Sequence, residues 1–424
     1  MFQTFINAFK VKEIRKKILV TLLLIVIYRL GCFIPIPGVN TEVLAQAVEQ
    51  YDILGFLDLL TGSSFSQFTL FAMGISPYIT ASIILQLLTI AIPALERLSK
   101  EDDGREKIEQ ITRYTGVALA LVQSIGIFVG LQNSAQNGQN YVINPGFWSY
   151  ATIGICATAG SAFLMWLGER ITEKGIGNGI SMLIFASIVS RVPSTLIGWV
   201  QQLITGTMAW WKFILLLAVV IGLITLVTHV DQAERRIPVQ YAKRVVGRKM
   251  YGGQSTYLPL KANANGVLPL IFAMTFIQFP GMIAQFAPNG EFYKFYTKYL
   301  GSTSVVYFIV YALLIVAFGY FYSSITFNPI EMSKNLQQNG GFITGFRPGK
   351  PTSDFLAKIA GRLTMFGSLF LAVIAILPTL VLRGLGQTSA FGATSVLIMV
   401  SVALETTAQL ESNMLMRHYK GFLN

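Results

Sequence analysis

Residues Tyr51 to Pro93 read YDILGFLDLLTGSSFSQFTLFAMGISPYITASIILQLLTIAIP. This stretch begins as a membrane segment that is too short and ends as one that is long enough. Ile53 to Leu60 is one brief apolar run, broken by Gly62, Ser63, Ser64 and Ser66. A helix of about eight residues covers only roughly 12 Å of a ~30 Å hydrocarbon layer. From Phe68 the chain turns apolar again and continues through Gly74, Pro77, Ile79, Ile83, Ile84, Leu85, Leu87, Leu88 and Ile90 to Pro93, which is enough to span. Non-helical backbone is tolerated at membrane depth only where protein or a water-filled cavity shields it from lipid. A half-span followed directly by a full span therefore implies a cavity, with the short piece in or beneath it.

Composition agrees. Of 424 residues, 53% are hydrophobic and 12% charged, and the mean hydropathy is +0.58. That excludes an ordinary soluble protein of this length and predicts a polytopic membrane protein. The net charge of +12 fits either nucleic-acid binding or the lysines and arginines that orient membrane spans. Their placement decides.

Phe2, Phe5, Ile6 and Phe9 recur at helical spacing ahead of Lys10, Lys12, Arg15, Lys16 and Lys17, the pattern of a helix on an anionic membrane surface. Apolar spans are then expected at about Ile18–Ile36, Gly74–Pro93, Tyr114–Leu131, Phe147–Leu167, Ile180–Ile197, Trp211–His229, Gly266–Phe286, Val305–Phe327, Ile359–Leu382 and Phe391–Leu410. Ten spans put both termini on one side. Of the 32 lysines and arginines, all but Arg29, Arg191, Lys212, Lys294, Lys298 and Arg383 fall on that side, which the positive-inside rule makes cytoplasmic. Ten also divides into five and five. An odd number per half forces the second half to enter from the opposite face, the topology of an inverted repeat.

The spans hold few ionisable groups. Glu405 is the main exception, and it also reads as an interfacial or helix-packing carboxylate. An ion-coupled transporter would bury such groups near the midplane, so an inverted-repeat secondary transporter ranks second to a conduit for varied cargo. Cys32, Cys156, His229 and His418 show no ligand spacing, so no metal or cofactor is expected, and the two cysteines read as small core residues. Gly175 to Gly179 (GIGNG) joins two spans with no strand before it. Gly345 to Lys350 (GFRPGK) has too few residues between its glycines for a phosphate loop, and Pro351 follows the lysine. Neither predicts nucleotide hydrolysis or an enzyme.

Several motifs carry a family resemblance in order along nearly the whole chain. They are RLGCFIPIPG (Arg29–Gly38), GISPYITASIILQLL (Gly74–Leu88), GIGNGIS (Gly175–Ser181), RRIPVQYAKR (Arg235–Arg244), QSTYLPLK (Gln254–Lys261), FNP (Phe327–Pro329) and RPG (Arg347–Gly349). The chain resembles the SecY family of protein-conducting channels. The resemblance implies an all-α membrane protein of the bacterial inner membrane, with ten transmembrane helices in two pseudo-symmetric inverted five-helix halves and a re-entrant plug helix. The expected organisation is a surface segment 1–17, a first half 18–200 with the plug at about 53–64, a second half 201–410 with loops 230–265 and 328–357, and a tail 411–424.

The resemblance further implies a pore closed by a ring of Ile75, Ile79, Ile180, Ile184, Ile271 and Ile398. Ile75 and Ile79 lie one helical turn apart on one face, and branched apolar side chains at that spacing suit a thin, deformable seal that excludes ions by dewetting. Read without the resemblance, the same residues are packing or lipid-facing isoleucines. The plug would use Ile53, Leu54, Phe56, Leu57 and Leu60, and the alternative for this segment is an interfacial loop. A lateral gate for apolar segments would lie between spans two and three and spans seven and eight, with Thr80 and Gln123 at its polar positions. Arg235, Arg236, Lys243, Arg244 and Arg347 would dock the ribosome or the motor ATPase SecA, unless they are simply basic because cytoplasmic loops are. Implied partners are small SecE-like and SecG-like membrane subunits, signal sequences and nascent chains, and membrane lipids. Glu331 stands where some relatives have arginine, so that contact is not carried over.

Overall fold

The computed structural model describes residues 9–50, 54–55, 58, 61–101, 103–134, 140–241, 244–246, 249–251, 255–263, 265–284, 290–301, 304–384 and 393–420. In chain order the elements are α1 (Lys12–Gly31), α2 (Thr41–Gln50), α3 (Ser76–Ala91), α4 (Pro93–Lys100), α5 (Gly104–Ser134), α6 (Phe147–Lys174), α7 (Gly179–Ile204) and α8 (Trp210–Gln232). Then come β1 (Glu234–Tyr241), β2 (Arg244–Val246), β3 (Lys249–Tyr251), β4 (Ser255–Lys261), α9 (Leu268–Ala284), α10 (Glu291–Tyr299), α11 (Val305–Thr326), α12 (Pro329–Gln338), β5 (Gly341–Ile343), α13 (Lys350–Gly384) and α14 (Ala393–Lys420).

Six of the described helices, α5, α6, α7, α8, α11 and α13, are long and apolar enough to cross a membrane. The pair α3 and α4, bent by 105° at Ile92, makes seven. The bend falls before Pro93, which disfavours helix at the residue preceding it. The helices outside that group have evident reasons. The N-terminal end of α1 carries Lys12, Glu13, Arg15, Lys16 and Lys17, α9 has 17 residues, and α14 carries Glu405 near its middle and Glu411 beyond it.

Two compact units divide the chain, one of residues 1–214, 275–307 and 387–424, the other of 215–274 and 308–386. In the first, α1 packs on α6 and α7, α5 packs between α3 and α6, and α14 lies along α7. Between α1 and α3 no helix among the described residues is long enough to span. Bridges join Pro35 to Thr69 and Val39 to Val142, and the Leu70 N–H donates to the Ile34 carbonyl at 2.8 Å. Phe68, fully buried with φ of +39°, is held edge-to-face between Phe65 and Phe128 at centroid distances of 6.2 and 4.4 Å. Such a backbone persists only where packing over-determines it.

The second unit brings together two basic loops that are far apart in sequence. β1 pairs antiparallel with β4, and β5 pairs with the other edge of β1, Val239 lying opposite Ile343. Ile237 and Val239 alternate inward with exposed Arg236, Pro238 and Gln240, and pack with Ile343, Leu356 and Ile359. The loops at 230–265 and 328–357 therefore hold a small sheet and a helix rather than irregular coil. This period-2 pattern is the signature of a sheet with one buried face.

The GIGNG turn is an architectural joint. The Asn178 side chain caps α7, accepting from the N–H groups of Ile180 and Ser181 at 3.0 and 3.3 Å. The Ile176 N–H donates to the Thr21 hydroxyl of α1 at 3.0 Å. A Cβ on Gly179 would sit 1.8 Å from the Gly168 carbonyl oxygen, so α6 and α7 approach there as only glycine allows. Gly179→Ala is expected to destabilise the detergent-solubilised protein by about 2 kcal/mol or more. Gly198→Ala, on the same helix with open space around it, should be neutral or stabilising. Thermal unfolding of both variants checks this.

Candidate functional site

Two helix starts build the site. α3 begins just after Ile75, with Pro77 in its first turn where the missing N–H costs nothing. The Ile79 N–H donates to the Ile75 carbonyl at 3.1 Å, which fixes these two side chains one turn apart. α7 begins at its Asn178 cap and carries Ile180 and Ile184 at the same spacing. Ile75, Ile79 and Ile184 line one cavity of about 10 Å³ together with Tyr28, Gly74, Ser76, Leu164 and Ser187. That is room for about one water molecule. Ile75, Ile79 and Ile180 also share one apolar cluster with Phe71, Leu164 and Leu167.

Four of the six sequence-predicted ring residues are thus brought into one neighbourhood. Ile398 is buried on α14, which runs along α7. Ile271 is half-buried on α9 within the second unit. Thr80 is buried and its hydroxyl donates to the Ser76 carbonyl at 3.0 Å. Gln123 is buried on α5, its Oε1 without a hydrogen-bond partner among the described residues.

Of the sequence-predicted plug residues, Ile53, Phe56, Leu57 and Leu60 lie outside the described residues. Leu54 is fully buried and joins Leu44, Ala47, Phe65, Phe68 and Phe128 in a core cluster, so this position is not an exposed interfacial loop. Immediately beyond it, Thr61 abuts the start of α3: a Cβ on Gly74 would lie 2.7 Å from Thr61 Cγ2.

Sequence reasoning missed the polar contacts of this segment. Asp58, 2% exposed, pairs through Oδ2 with Arg191 Nη2 of α7 at 2.9 Å. Its Oδ1 accepts the Ser66 N–H at 2.8 Å. The Tyr28 hydroxyl shares a hydrogen bond with Ser187 Oγ at 2.5 Å and donates to the Thr61 carbonyl at 3.4 Å. The available signal was a lone carboxylate in an apolar run and a lone arginine inside a span, each costly in isolation.

Among the basic residues, Arg235 and Arg236 are exposed on β1, with Arg236 Nε paired to Glu234 at 2.8 Å. Arg244 lies on β2, and Lys243 lies outside the described residues. Arg347 is exposed in a turn set by Gly345 and Gly349, whose φ values are +90° and +97°. Those glycines serve the turn, and the Gly349 carbonyl accepts from Ser333 Oγ at 2.7 Å. No group of three or more metal-ligating side chains occurs among the described residues.

The SecY family model matches residues 69–407. The chain belongs to the SecY family. A protein translocase subunit SecY of Streptomyces galbus is 45% identical over 439 residues, covering all of both chains. Solved structures share the fold. One described as a protein conducting channel is 22% identical, covers 94% of this chain and 92% of its own, and has a TM-score of 0.69. A second concerns a SecY plug domain that stabilises the closed state and maintains a membrane seal (21% identical, 94% and 92% covered, TM-score 0.66). A third is Sec61 in the canine ribosome–channel complex (20% identical, 94% and 92% covered, TM-score 0.64). SecY membership makes the chain a membrane channel subunit for protein translocation rather than an enzyme, and nothing in these likenesses supports the secondary-transporter reading.

Cysteines replacing Ile79 and Ile184, which line the same cavity, are expected to form a disulfide or accept the shortest bifunctional thiol reagent in the resting protein. Gel mobility before and after reduction checks this. Two thiols that are each accessible but never joined would contradict the shared lining.

Proposed function

We propose that this chain is the central subunit of a bacterial inner-membrane channel that moves unfolded secretory proteins across the bilayer and releases transmembrane segments sideways into lipid. Ten spans would form two inverted halves, residues 18–200 and 201–410, with both termini cytoplasmic. The observation that carries this is the shared cavity of Ile75, Ile79 and Ile184, which sits against the Thr61 end of the short buried segment. A collar of branched apolar side chains has no hydrogen bonds to offer water or ions, and dispersion contacts let it deform around an extended chain. Ile180, Ile271 and Ile398 would complete the collar, and the segment at about 53–64 would act as the plug.

Thr80 and Gln123 would mark the lateral gate, where an apolar signal helix gains transfer energy of about 0.8 kcal/mol per buried methylene and shifts the channel toward its open form. Arg235, Arg236, Lys243, Arg244 and Arg347 would dock a ribosome or a SecA-type motor. The charge of Arg347 is held clear on its turn, while that of Arg236 is partly offset by Glu234. The relative seen in a ribosome–channel complex supports the ribosome as a partner. SecE-like and SecG-like subunits would accompany the chain.

Replacing Ile79, Ile184 and Ile271 together with serine should raise the resting ion conductance of the reconstituted channel several-fold. Planar-bilayer recording measures this, and unchanged conductance would remove the collar assignment. Arg347→Glu should lower motor-driven export of a preprotein into vesicles by about tenfold while leaving thermal stability unchanged, because the side chain is exposed. Normal export would confine that turn to a structural role.

A further inference from the structure

Within the second unit, side-chain amides tie the start of α9 to its neighbours. The Ala262 N–H donates to the Ala233 carbonyl at 2.8 Å and Asn263 Nδ2 donates to Asp231 Oδ1 at 2.9 Å, so two bonds close the root of the β1–β4 ladder. Asn265 Nδ2 then donates to the Gly319 carbonyl of α11 at 2.8 Å. A carbonyl only accepts, so this bond fixes which way round the Asn265 amide lies and turns its Oδ1 elsewhere. That oxygen has no hydrogen-bond partner among the described residues, although Asn265 is only 8% exposed. Leaving a buried amide acceptor unpaired costs about 1–3 kcal/mol.

Beside it, α11 and α13 meet along small and hydroxyl-bearing residues, as membrane helices do where their backbones approach closely. A Cβ on Gly319 would collide with Ser368 Oγ, and Thr364 Oγ1 donates to Ser323 Oγ at 2.8 Å. Asn263, Asn265, Thr364 and Ser368 line one cavity of about 10 Å³, which Gly367, Pro269 and Leu371 help to wall. That is the room one water molecule needs, and four polar side chains suffice for the two to four hydrogen bonds a buried water makes, whereas cavities that stay dry are apolar. We propose that this cavity is a binding site for a single structural water, which donates to Asn265 Oδ1 and joins the start of α9 to α13. The lining side chains carry no charge, which suits water over a cation. A bridging water is nearly as favourable as a direct hydrogen bond, and here it completes the polar contacts where the β1–β4 ladder meets α9, α11 and α13.

A short X-ray pulse makes hydroxyl radicals from water in place, so a side chain beside a fixed water is oxidised even where bulk solvent does not reach. Applied to the full chain in lipid discs and read by mass spectrometry, it should oxidise Leu371, 1% exposed, at least ten times faster than Leu216 and Leu356, which are equally buried in the same unit and line no part of the cavity. Gly367→Ala adds a methyl group to the cavity wall, with Ala262 O at 3.0 Å as its tightest contact. This change should bring Leu371 down to the rate of Leu216. Gly361→Ala, on the same helix with open space around it, should leave the fast rate as it is. Equal rates at the three leucines in the wild type would overturn the water site, and this comparison decides whether or not Gly367→Ala folds. Fast oxidation of Leu371 that persists in folded Gly367→Ala would overturn it as well.

Discussion

Backbone that is not helical must find its hydrogen bonds inside the protein wherever lipid would otherwise face it, and the described stretch from Gly62 to Gly74 is arranged around that requirement. Several described donors in and beside it are paired nearby. Ile36 N–H goes to the Phe68 carbonyl at 3.0 Å, Thr69 N–H to Ser64 at 2.9 Å, and Gly74 N–H to Phe71 at 2.9 Å. Each of these would cost several kcal/mol if left open to hydrocarbon. Shielding comes from α1, α5, α6 and α7, and from buried rings: Phe71 stacks on Tyr28 at 5.8 Å and on Phe163 at 5.9 Å. Beside this segment, Ile75 and Ile79 at the start of α3 and Ile184 of α7 line one small cavity.

The rigid joints and the apolar cavity lining are made from different chemistry. The joints use backbone and capping hydrogen bonds: Asn178 on α7, Thr21 on Ile176, and the close approach of α6 and α7 at Gly179. These fix helix positions to within the tolerance of a hydrogen bond. The side chains of Ile75, Ile79 and Ile184, which line one cavity, have no hydrogen-bonding atoms and so can part without leaving unsatisfied polar groups. The short segment combines both, apolar packing at Leu54 and an ion pair at Asp58. These two positions are therefore held by interactions that respond differently to displacement.

Much of this was legible in the sequence. The short apolar run before Gly62 was recognisable by length alone, because a bilayer sets a minimum that eight residues cannot meet. Long spans such as α6, α8 and α11 were legible for the same reason. The sheet was not. Ile237 and Val239 alternate as strand residues should, but their partners Leu258 and Ile343 come from separate loops, and a pairing of that separation leaves no local signal. Asp58 and Arg191 were legible as two isolated charges but not as a pair, since nothing in either neighbourhood names the other. The spacing of the glycines in the GFRPGK stretch did not fit a phosphate loop, but their use as two left-handed residues that turn the chain into α13 needed the backbone angles.

The proposed channel requires branched apolar side chains to converge around a shared axis. A density map of the complete complex in a lipid disc, at a resolution that shows side chains, measures that directly. The account predicts Ile75, Ile79, Ile180, Ile184, Ile271 and Ile398 meeting at one constriction with Asp58 beside Arg191 beneath it. Isoleucines turned out toward lipid, with an open or water-filled passage where they should meet, would contradict it.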